Sequence, residues 1–169
     1  IQISYCTIVG NRALSHTMGA GIWGNDFAIK NSILWSNGIG NEQAQIYIGR
    51  STIDYSCVQD WTGDLGGDGN IGLVPKFVKP GYWLGEDSSP SPIYSPPVYT
   101  WIEGDYHLQS EGWRWDWAAR RWTYDEVTSP CIDAGNPADE LGAELPVVPI
   151  DPTGIFGASV RVDMGAYGQ

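Results

Sequence analysis

The sequence is poor in cysteine, histidine and basic residues, and each shortage argues against a class of protein. Its three cysteines, Cys6, Cys57 and Cys131, are an odd number and too few for a disulfide scaffold. We therefore expect buried free thiols, with a single bridge as the alternative. No CxxC or HExxH motif is present, so the sequence indicates neither a structural zinc site nor a zincin site.

Only nine Lys and Arg residues stand against 20 acidic ones, which gives a formal net charge of −11. Binding of nucleic acid needs clusters of Lys and Arg, and the sequence has none. The charge also disfavours a polyanionic partner such as pectate, unless calcium bridges the two. Because no apolar run approaches the roughly 20 residues of a membrane span, we expect no membrane insertion.

The residues that are abundant point to short strands and half-exposed rings. The chain of 169 residues is long enough for one domain with a real core. Its 22 Gly and 11 Pro favour many turns over long helices. Nine Trp and nine Tyr against three Phe favour rings that carry a polar group and suit partly exposed surfaces. Since the chain starts at Ile1 without a leader, we expect a processed or excised piece of a longer protein.

The first seventy residues contain a repeat of about 25 residues. ISYCTIVGN, IKNSILWSN and IDYSCVQDW begin 26 and 24 positions apart, and a second short segment recurs around Ile22, Ile46 and Ile71. This period predicts a parallel β-solenoid in which equivalent side chains stack in columns. The predicted columns are Ile3, Ile29 and Ile53, and Ile8, Leu34 and Val58. Asn11, Asn25 and Asn37 are expected at left-handed corners, bonding along the stack.

Several motifs together carry a resemblance to a known group. CTIVGN, IKNSILWSN, IDYSCVQ, VPKFVKP, DYHLQS, SPCIDAGNP and RVDMGAYGQ resemble the C-terminal end of secreted right-handed parallel β-helix proteins of the pectate-lyase-like superfamily. The resemblance implies one all-β, extracellular domain, with repeat coils over 1–79, an insertion over 80–104 and closing coils over 105–169. It does not imply an activity, because the fold hosts lyases, hydrolases, adhesins and binding modules.

Two aromatic segments depart from the pattern of that group. The insertion places its rings among prolines, which stiffen a loop and present rings at lower ordering cost; they are Tyr82, Trp83, Tyr94, Tyr99 and Trp101. The alternative is a strap that covers the flank of the solenoid. The second segment, 111–127, reads as a hairpin with one aromatic face; its rings are Trp113, Trp115, Trp117, Trp122 and Tyr124.

The hairpin can be laid out from the alternation of its residues. A four-residue turn at 118–121 would pair Trp117 with Trp122 and Trp115 with Tyr124, leaving Arg114 and Asp116 on the other face. An RWD…W hairpin is common in the resembling group, so we expect its four residues, Trp122 among them, to be structural. Trp113 and Trp117 replace smaller or turn residues and are the better candidates for function.

Rings in such numbers predict stacking on the apolar faces of sugars. A neutral plant polysaccharide, xylan or a β-glucan, fits both the rings and the negative charge, with Arg114, Asp116, Glu103 and Asp105 as candidates to hold hydroxyls. The resemblance adds that β-helical xylan-binding modules exist in this superfamily. We therefore expect a non-catalytic carbohydrate-binding module, covalently linked in the full-length protein to a catalytic domain such as a xylanase.

Two other functions stay open from the sequence. In a catalytic fragment of a polysaccharide lyase or glycoside hydrolase, Asp60, Asp64 and Asp68 could supply carboxylates or bind calcium. Their spacing lacks the alternation of an EF-hand loop, and GGDGN only half matches the calcium-binding nonapeptide repeat. The third possibility is the structural end of a secreted adhesin, in which the rings only seal the solenoid.

Overall fold

The protein is all-β. The computed structural model describes residues 1–12, 20–38, 45–85, 99–140 and 162–165. The strands are β1 (Gln2–Ser4), β2 (Thr7–Val9), β3 (Ile22–Gly24), β4 (Ala28–Lys30), β5 (Ile33–Trp35), β6 (Ile46–Ile48), β7 (Thr52–Asp54), β8 (Cys57–Val58), β9 (Phe77–Lys79), β10 (Tyr82–Gly85), β11 (Tyr99–Ile102), β12 (Asp105–Leu108), β13 (Arg114–Asp116) and β14 (Arg121–Thr123). Within these ranges, no helix is both long and apolar enough to cross a membrane.

Successive repeats pair in parallel and in register, which confirms the predicted columns. In the sheet β1–β4–β7, Ile29 lies between Ile3 and Ile53. In the sheet β2–β5–β8, Leu34 pairs with Val58, and its partner on the other side is Ile8. The two-stranded sheet β3–β6 pairs Ile22 with Ile46 in the same way. Each segment therefore contributes the same inward side chains one strand spacing further along the stack.

The second short segment was predicted to recur around Ile71, but its third copy does not pair as the first two do. Ile71 does not extend the Ile22–Ile46 pair but forms a parallel bridge with Cys57. Its N–H donates to Ser56 O at 2.9 Å, and its carbonyl accepts from Val58 N at the same distance. The cause is the glycine-rich turn before it, where four glycines have positive φ and Tyr55 N donates to Asp68 O. The chain thus returns directly onto β8.

The sheet β2–β5–β8 buries side chains on both faces. Leu34 and Val58 point into one core, with Ile29, Ile46 and Ile53. Their neighbours in the same strands, Ile33 and Cys57, point into a second core, where they meet side chains from the closing segments: Phe77, Leu108, Cys131 and Met164. A parallel sheet covered on both faces explains why these strands read as nearly continuous apolar runs.

Two sets of equivalent residues turn the corners between strands. Tyr5, Asn31 and Tyr55 have positive φ, and so do Gly10, Ser36 and Asp60. The prediction of left-handed backbone at Asn11, Asn25 and Asn37 is therefore wrong, since these three are not among the described residues with positive φ. The predicted bonding along the stack is confirmed for two of them, Asn11 and Asn37, since Asn11 Nδ2 donates to Asn37 Oδ1 at 3.0 Å.

Asn37, which is fully buried two residues after β5, makes most of these bonds. Its Nδ2 donates to Ile8 O at 2.7 Å, and its Oδ1 accepts from Asn11 N at 3.1 Å. Its backbone N–H donates to Gln45 Oε1 at 2.9 Å, and Gln45 Nε2 donates back to Asn37 O at 2.8 Å. Asn37 therefore joins neighbouring repeats through an amide instead of through a special backbone conformation.

The closing segments cover the outer face of the repeats. β9 and β12 pair antiparallel, with Phe77 opposite Leu108. Gly165 N donates to Asn31 O at 2.9 Å, and Asn136 N donates to Asn31 Oδ1 at 2.7 Å. All three cysteines are free thiols, with Cys57 and Cys131 fully buried and Cys6 half-buried.

The buried columns predict that Leu34 contributes strongly to the stability of the fold. Leu34→Ala should lower the free energy of unfolding by about 3–4 kcal/mol, because the side chain is fully buried and the cavity lies between two paired strands. Leu73→Ala is the control, since Leu73 is exposed and should change stability by less than about 0.5 kcal/mol. Urea unfolding followed by tryptophan fluorescence measures both. Equal losses in the two variants would contradict the observed columns.

Candidate functional site

The predicted Trp-rich hairpin exists, but its register differs from the prediction. Trp115 pairs with Trp122, and Asp116 pairs with Arg121. The turn is therefore 117–120, not 118–121. Two features end the strand early: Asp116 Oδ1 accepts a hydrogen bond from Ala119 N at 2.8 Å, and Arg120 takes a left-handed backbone with φ of 51°. The predicted pair of Trp117 with Trp122 is wrong, because the observed register is shifted by two residues. A shift by an even number leaves the rings on the predicted face.

The five rings pack edge to face on one side of the hairpin. Trp115 lies at the centre, with ring centroids 5.7 Å from Trp122 and 6.3 Å from Trp117. Trp113 and Tyr124 form a second pair at 5.4 Å. We call this set the hairpin aromatic face. Trp115 is half-buried, whereas the other four remain open to solvent: Trp113 at 41% exposure, Trp122 at 45%, Tyr124 at 65% and Trp117 at 69%.

The opposite side of the hairpin is tied down by an ion pair. Arg114 is buried; its Nε donates to Asp125 Oδ2 at 2.5 Å, and its second guanidinium nitrogen donates to Asp125 Oδ1 at 2.8 Å. Ser110 N also donates to Asp125, and Asp125 N donates to Ser110 O at 2.7 Å. Arg114 thus fixes the hairpin to the end of β12 and is committed to that contact, although it was predicted to hold a ligand.

The other predicted polar residues are also engaged within the protein. Glu103 accepts from the Tyr106 hydroxyl at 2.7 Å. Asp105 Oδ1 lies 2.6 Å from His107 Nδ1. Burial favours the protonated carboxyl of Asp105, but the hydrogen bonds with His107 outweigh it and lower the pKa of Asp105. Asp116 caps its own turn, as described above.

The insertion at 80–104 forms a hairpin whose tryptophans pack inward. β10 and β11 pair antiparallel, with Trp83 opposite Trp101 and their rings 5.1 Å apart. Trp83 Nε1 donates to Ser36 O at 3.3 Å, which places its ring on a corner of the repeats. Trp101 Nε1 donates to the Tyr106 hydroxyl at 3.0 Å, and its ring lies over Gly10. These contacts correspond to the strap alternative for both tryptophans.

Other predicted rings of the insertion differ from these two. Tyr82 is exposed on the outer face of β10, beside the exposed Leu84. Tyr99 lies in β11 opposite Gly85, and the description there covers its backbone only. Tyr94 lies outside the described residues. Tyr82 is therefore the only candidate of the insertion with a described, outward-facing ring.

The acidic residues proposed for calcium do not converge. Asp60, Asp64 and Asp68 are exposed, and the N–H of Asp68 donates to Asp54 Oδ1 at 2.9 Å. Among the residues that the structure describes, no group of three His, Cys, Asp or Glu side chains is arranged to hold a metal ion. The loop is thus a turn that carries separate carboxylates.

Sequence reasoning missed one further pair of aromatic residues. Trp23 and Tyr47 are register partners in the sheet β3–β6, and both point outward, with 62% and 47% of their surfaces exposed. The signal was present, since the two rings take the same position in successive repeats, GIWGN and QIYIG. Arg120 and Arg121, exposed at the tip of the Trp-rich hairpin, were missed as well.

No protein family, curated protein or solved structure matches the chain. Its function is therefore inferred from its own residues.

The close approach of Trp101 to Gly10 gives a test of the strap. Gly10→Ala should lower the free energy of unfolding by about 2–4 kcal/mol, because a Cβ would collide with the indole and the backbone φ is +68°. Gly66→Ala is the control: its φ is +71°, but nothing lies within 4 Å of an added Cβ. That control should lose only about 1 kcal/mol, the backbone part of the cost. Similar losses in denaturant unfolding would show that Trp101 does not pack there.

The ion pair under the hairpin predicts a pH dependence. Hydrogen bonds from Arg114 hold the pKa of Asp125 below its ordinary value, so the pair stabilises the folded state fully above about pH 4. This stabilisation is lost as the pH falls through the folded-state pKa. Asp125→Asn should cost about 2–3 kcal/mol at pH 7, and the difference from wild type should vanish in acid. Urea unfolding at several pH values measures it.

A matched control separates the ion pair from general acid effects. Glu126 is the neighbouring carboxylate and is exposed. Glu126→Gln should leave the unfolding free energy within about 0.5 kcal/mol of wild type at every pH. A constant difference between Asp125→Asn and wild type down to strongly acidic pH would mean that charge on Asp125 does not stabilise the hairpin.

Proposed function

We propose that the chain is a non-catalytic carbohydrate-binding module of a secreted, extracellular protein. Its ligand is a neutral plant cell-wall polysaccharide, xylan or another neutral β-glycan. The observation that carries the proposal is the hairpin aromatic face, on which four of five rings remain 41% to 69% exposed. Large groups of exposed rings are uncommon on soluble monomeric proteins, and they often mark a surface that binds a ligand.

The chemistry of the rings favours sugars. The face of an indole carries negative quadrupole density, and the C–H face of a pyranose is apolar and weakly positive. Each stacking contact contributes roughly 0.5–1.5 kcal/mol, so several rings are needed for useful affinity. Trp117 and Tyr124, the most exposed members, are the first candidates for direct contact. Arg120 and Arg121 at the hairpin tip can donate hydrogen bonds to hydroxyl groups, a role that Arg114 cannot take while paired with Asp125.

The electrostatics favour a ligand without charge. The net charge of −11 repels polyanionic glycans over the whole surface. Near the hairpin, the exposed carboxylates of Glu111 and Glu126 offset the two arginines of the tip. The rings therefore lie in surroundings of mixed sign, which suits a neutral chain recognised by stacking and by hydroxyl contacts.

The proposed scaffold is a right-handed parallel β-helix resembling the pectate-lyase-like superfamily. The in-register pairing of strands 24 to 26 residues apart supports it, and so does the repeated left-handed corner. A stack of this kind is rigid and can present an inserted hairpin at a fixed angle. Covalent linkage to a catalytic domain, such as a xylanase, would raise the local concentration of substrate for that domain.

A structural role, as the end of a secreted adhesin, is the second candidate. The observation that favours it is the inward packing of Trp83 and Trp101, whose N–H groups bond within the protein. Aromatic residues in this chain do therefore serve to seal the stack. The two functions differ in what the rings of the Trp-rich hairpin do, and they can be separated by binding measurements.

The prediction concerns retention on immobilised glycans. In affinity gels containing xylan, β-glucan, mannan or pectin, the protein should be retarded by a neutral β-glycan and not by pectin. Trp117→Ala should weaken that affinity about 3- to 10-fold, the loss of one stacked ring. Its melting temperature should fall by no more than about 4 °C, because Trp117 is exposed and loses only its ring contact with Trp115.

Trp23→Ala is the matched control, because Trp23 is about as exposed as Trp117 but belongs to a different sheet. It should keep wild-type retention. Loss of retention in Trp23→Ala alone would move the site to the sheet β3–β6 and overturn the assignment to the hairpin. Absence of retention on every glycan would favour the structural role, and release of reducing ends or unsaturated products would favour a catalytic fragment.

A further inference from the structure

Two of the three cysteines meet in the second core, although 73 residues separate them in the sequence. Cys57 and Cys131 are both fully buried and pack against the same side chains, Phe77, Leu108 and Met164. Interaction with the Cys131 thiol is the largest cause of the raised pKa of Cys57, which indicates that the two thiols are neighbours. The Cys57 thiol also donates to Leu73 O at 3.2 Å. The third cysteine, Cys6, is half-buried, and its thiol bonds to Ser4 O at 3.2 Å. The cysteines are therefore one close pair and one separate residue.

The surrounding backbone holds both members of the pair. Cys57 lies in β8 beside Ile33, its partner in the parallel sheet. Cys131 N donates to Ser129 Oγ at 3.1 Å, and Met164 N donates to Cys131 O at 2.9 Å. Cys131 lies in a turn, whereas Cys57 lies in a strand. Both side chains are fully buried in one cluster, so the two thiols share the same interior space.

We propose that Cys57 and Cys131 form a disulfide when the protein folds in an oxidising compartment, and that Cys6 stays a free thiol. The oxidant is another disulfide, carried by glutathione or by an oxidoreductase. The thiolate of one cysteine attacks that disulfide, forming a mixed disulfide and releasing one thiolate. The second cysteine then displaces the remaining thiolate, so two electrons and two protons pass to the oxidant, which becomes two thiols.

The bond must form before the closing segment is fully docked. Interaction with the Cys131 side chain is the main cause that raises the pKa of Cys57, and burial raises it further. The folded dithiol form therefore holds very little reactive thiolate. In the folding chain both thiols are open to solvent and react normally. After docking, burial shields the bond from reductants, which makes it a structural bridge and not a redox switch.

The bridge would join the repeats to the closing segments. It closes a long loop that contains the strap and the Trp-rich hairpin, and a cross-link across a long loop removes much entropy from the unfolded chain. The proposal depends on the secretion part of the proposed function for its biological setting. It does not depend on glycan binding.

The test is a disulfide map of the whole protein. The chain is refolded with oxidised and reduced glutathione, alkylated in denaturant without reduction, and digested with trypsin. Mass spectrometry should show peptide 51–76, which contains Cys57, joined to peptide 122–161, which contains Cys131. Cys6 should be alkylated. Reduction before heating should lower Tm by about 5–10 °C.

Variants separate the bridge from the packing of the thiols. Cys57→Ser should lose the joined peptides and the effect of the reductant on Tm, whereas Cys6→Ser should keep both. The disulfide map is measured on the wild-type protein, so its result does not depend on whether any variant folds. Three alkylated cysteines after oxidative refolding, or a bridge that includes Cys6, would overturn the proposal. Glycan retention measured with and without reductant is a separate readout, so a missing bridge would leave the proposed binding function standing.

Discussion

The structure depends on parallel pairing of short strands from successive repeats. Each strand of the first seventy residues has two or three residues and cannot persist alone. Stacking makes Ile29 and Leu34 neighbours of equivalent side chains on both sides, and both are almost fully buried. Because the side chains are inward at the same position in every repeat, a change in repeat length within a strand would turn a whole column outward. Differences in length, 26 against 24 residues, are therefore confined to the connections between strands.

The corner at Asn31 connects this stack to the rest of the chain. Its carbonyl and its side-chain oxygen accept hydrogen bonds from the closing segments, and its Nδ2 donates to Asp139 at 2.7 Å. Asp139 also accepts from Lys30 and from the Tyr5 hydroxyl, and the hydrogen bond from Lys30 is the main cause of its lowered pKa. The carbonyl and both polar side-chain atoms of this left-handed residue are thus hydrogen-bonded. These bonds satisfy the buried amide of Asn31 and also hold the closing segments against the second core.

How far the sequence predicts this protein depends on which interactions are local. The columns at Ile29 and Leu34 follow from period and polarity, which any stack must respect. The place of Ile71 does not, because it depends on how a run of left-handed glycines directs the returning chain. The prediction of the hairpin register was wrong for a similar reason. The hydrogen bond from Ala119 N to Asp116 ends the strand, and the alternation of residues in a strand does not predict that bond. The aromatic face survived that error because the shift was by an even number of residues.

The two aromatic hairpins show what decides whether a tryptophan packs inward or remains in water. Under β10 and β11 lie glycines, Gly10 and Gly81, whose missing side chains leave room for the ring of Trp101. Its N–H then finds the Tyr106 hydroxyl, so burial leaves no polar atom unpaired. Under the Trp-rich hairpin the space is filled by the hydrogen-bonded pair of the buried Arg114 and the half-buried Asp125. With that face occupied, the rings on the other side pack against one another and face the solvent. Arg114 and Asp125 thus determine which way the rings point.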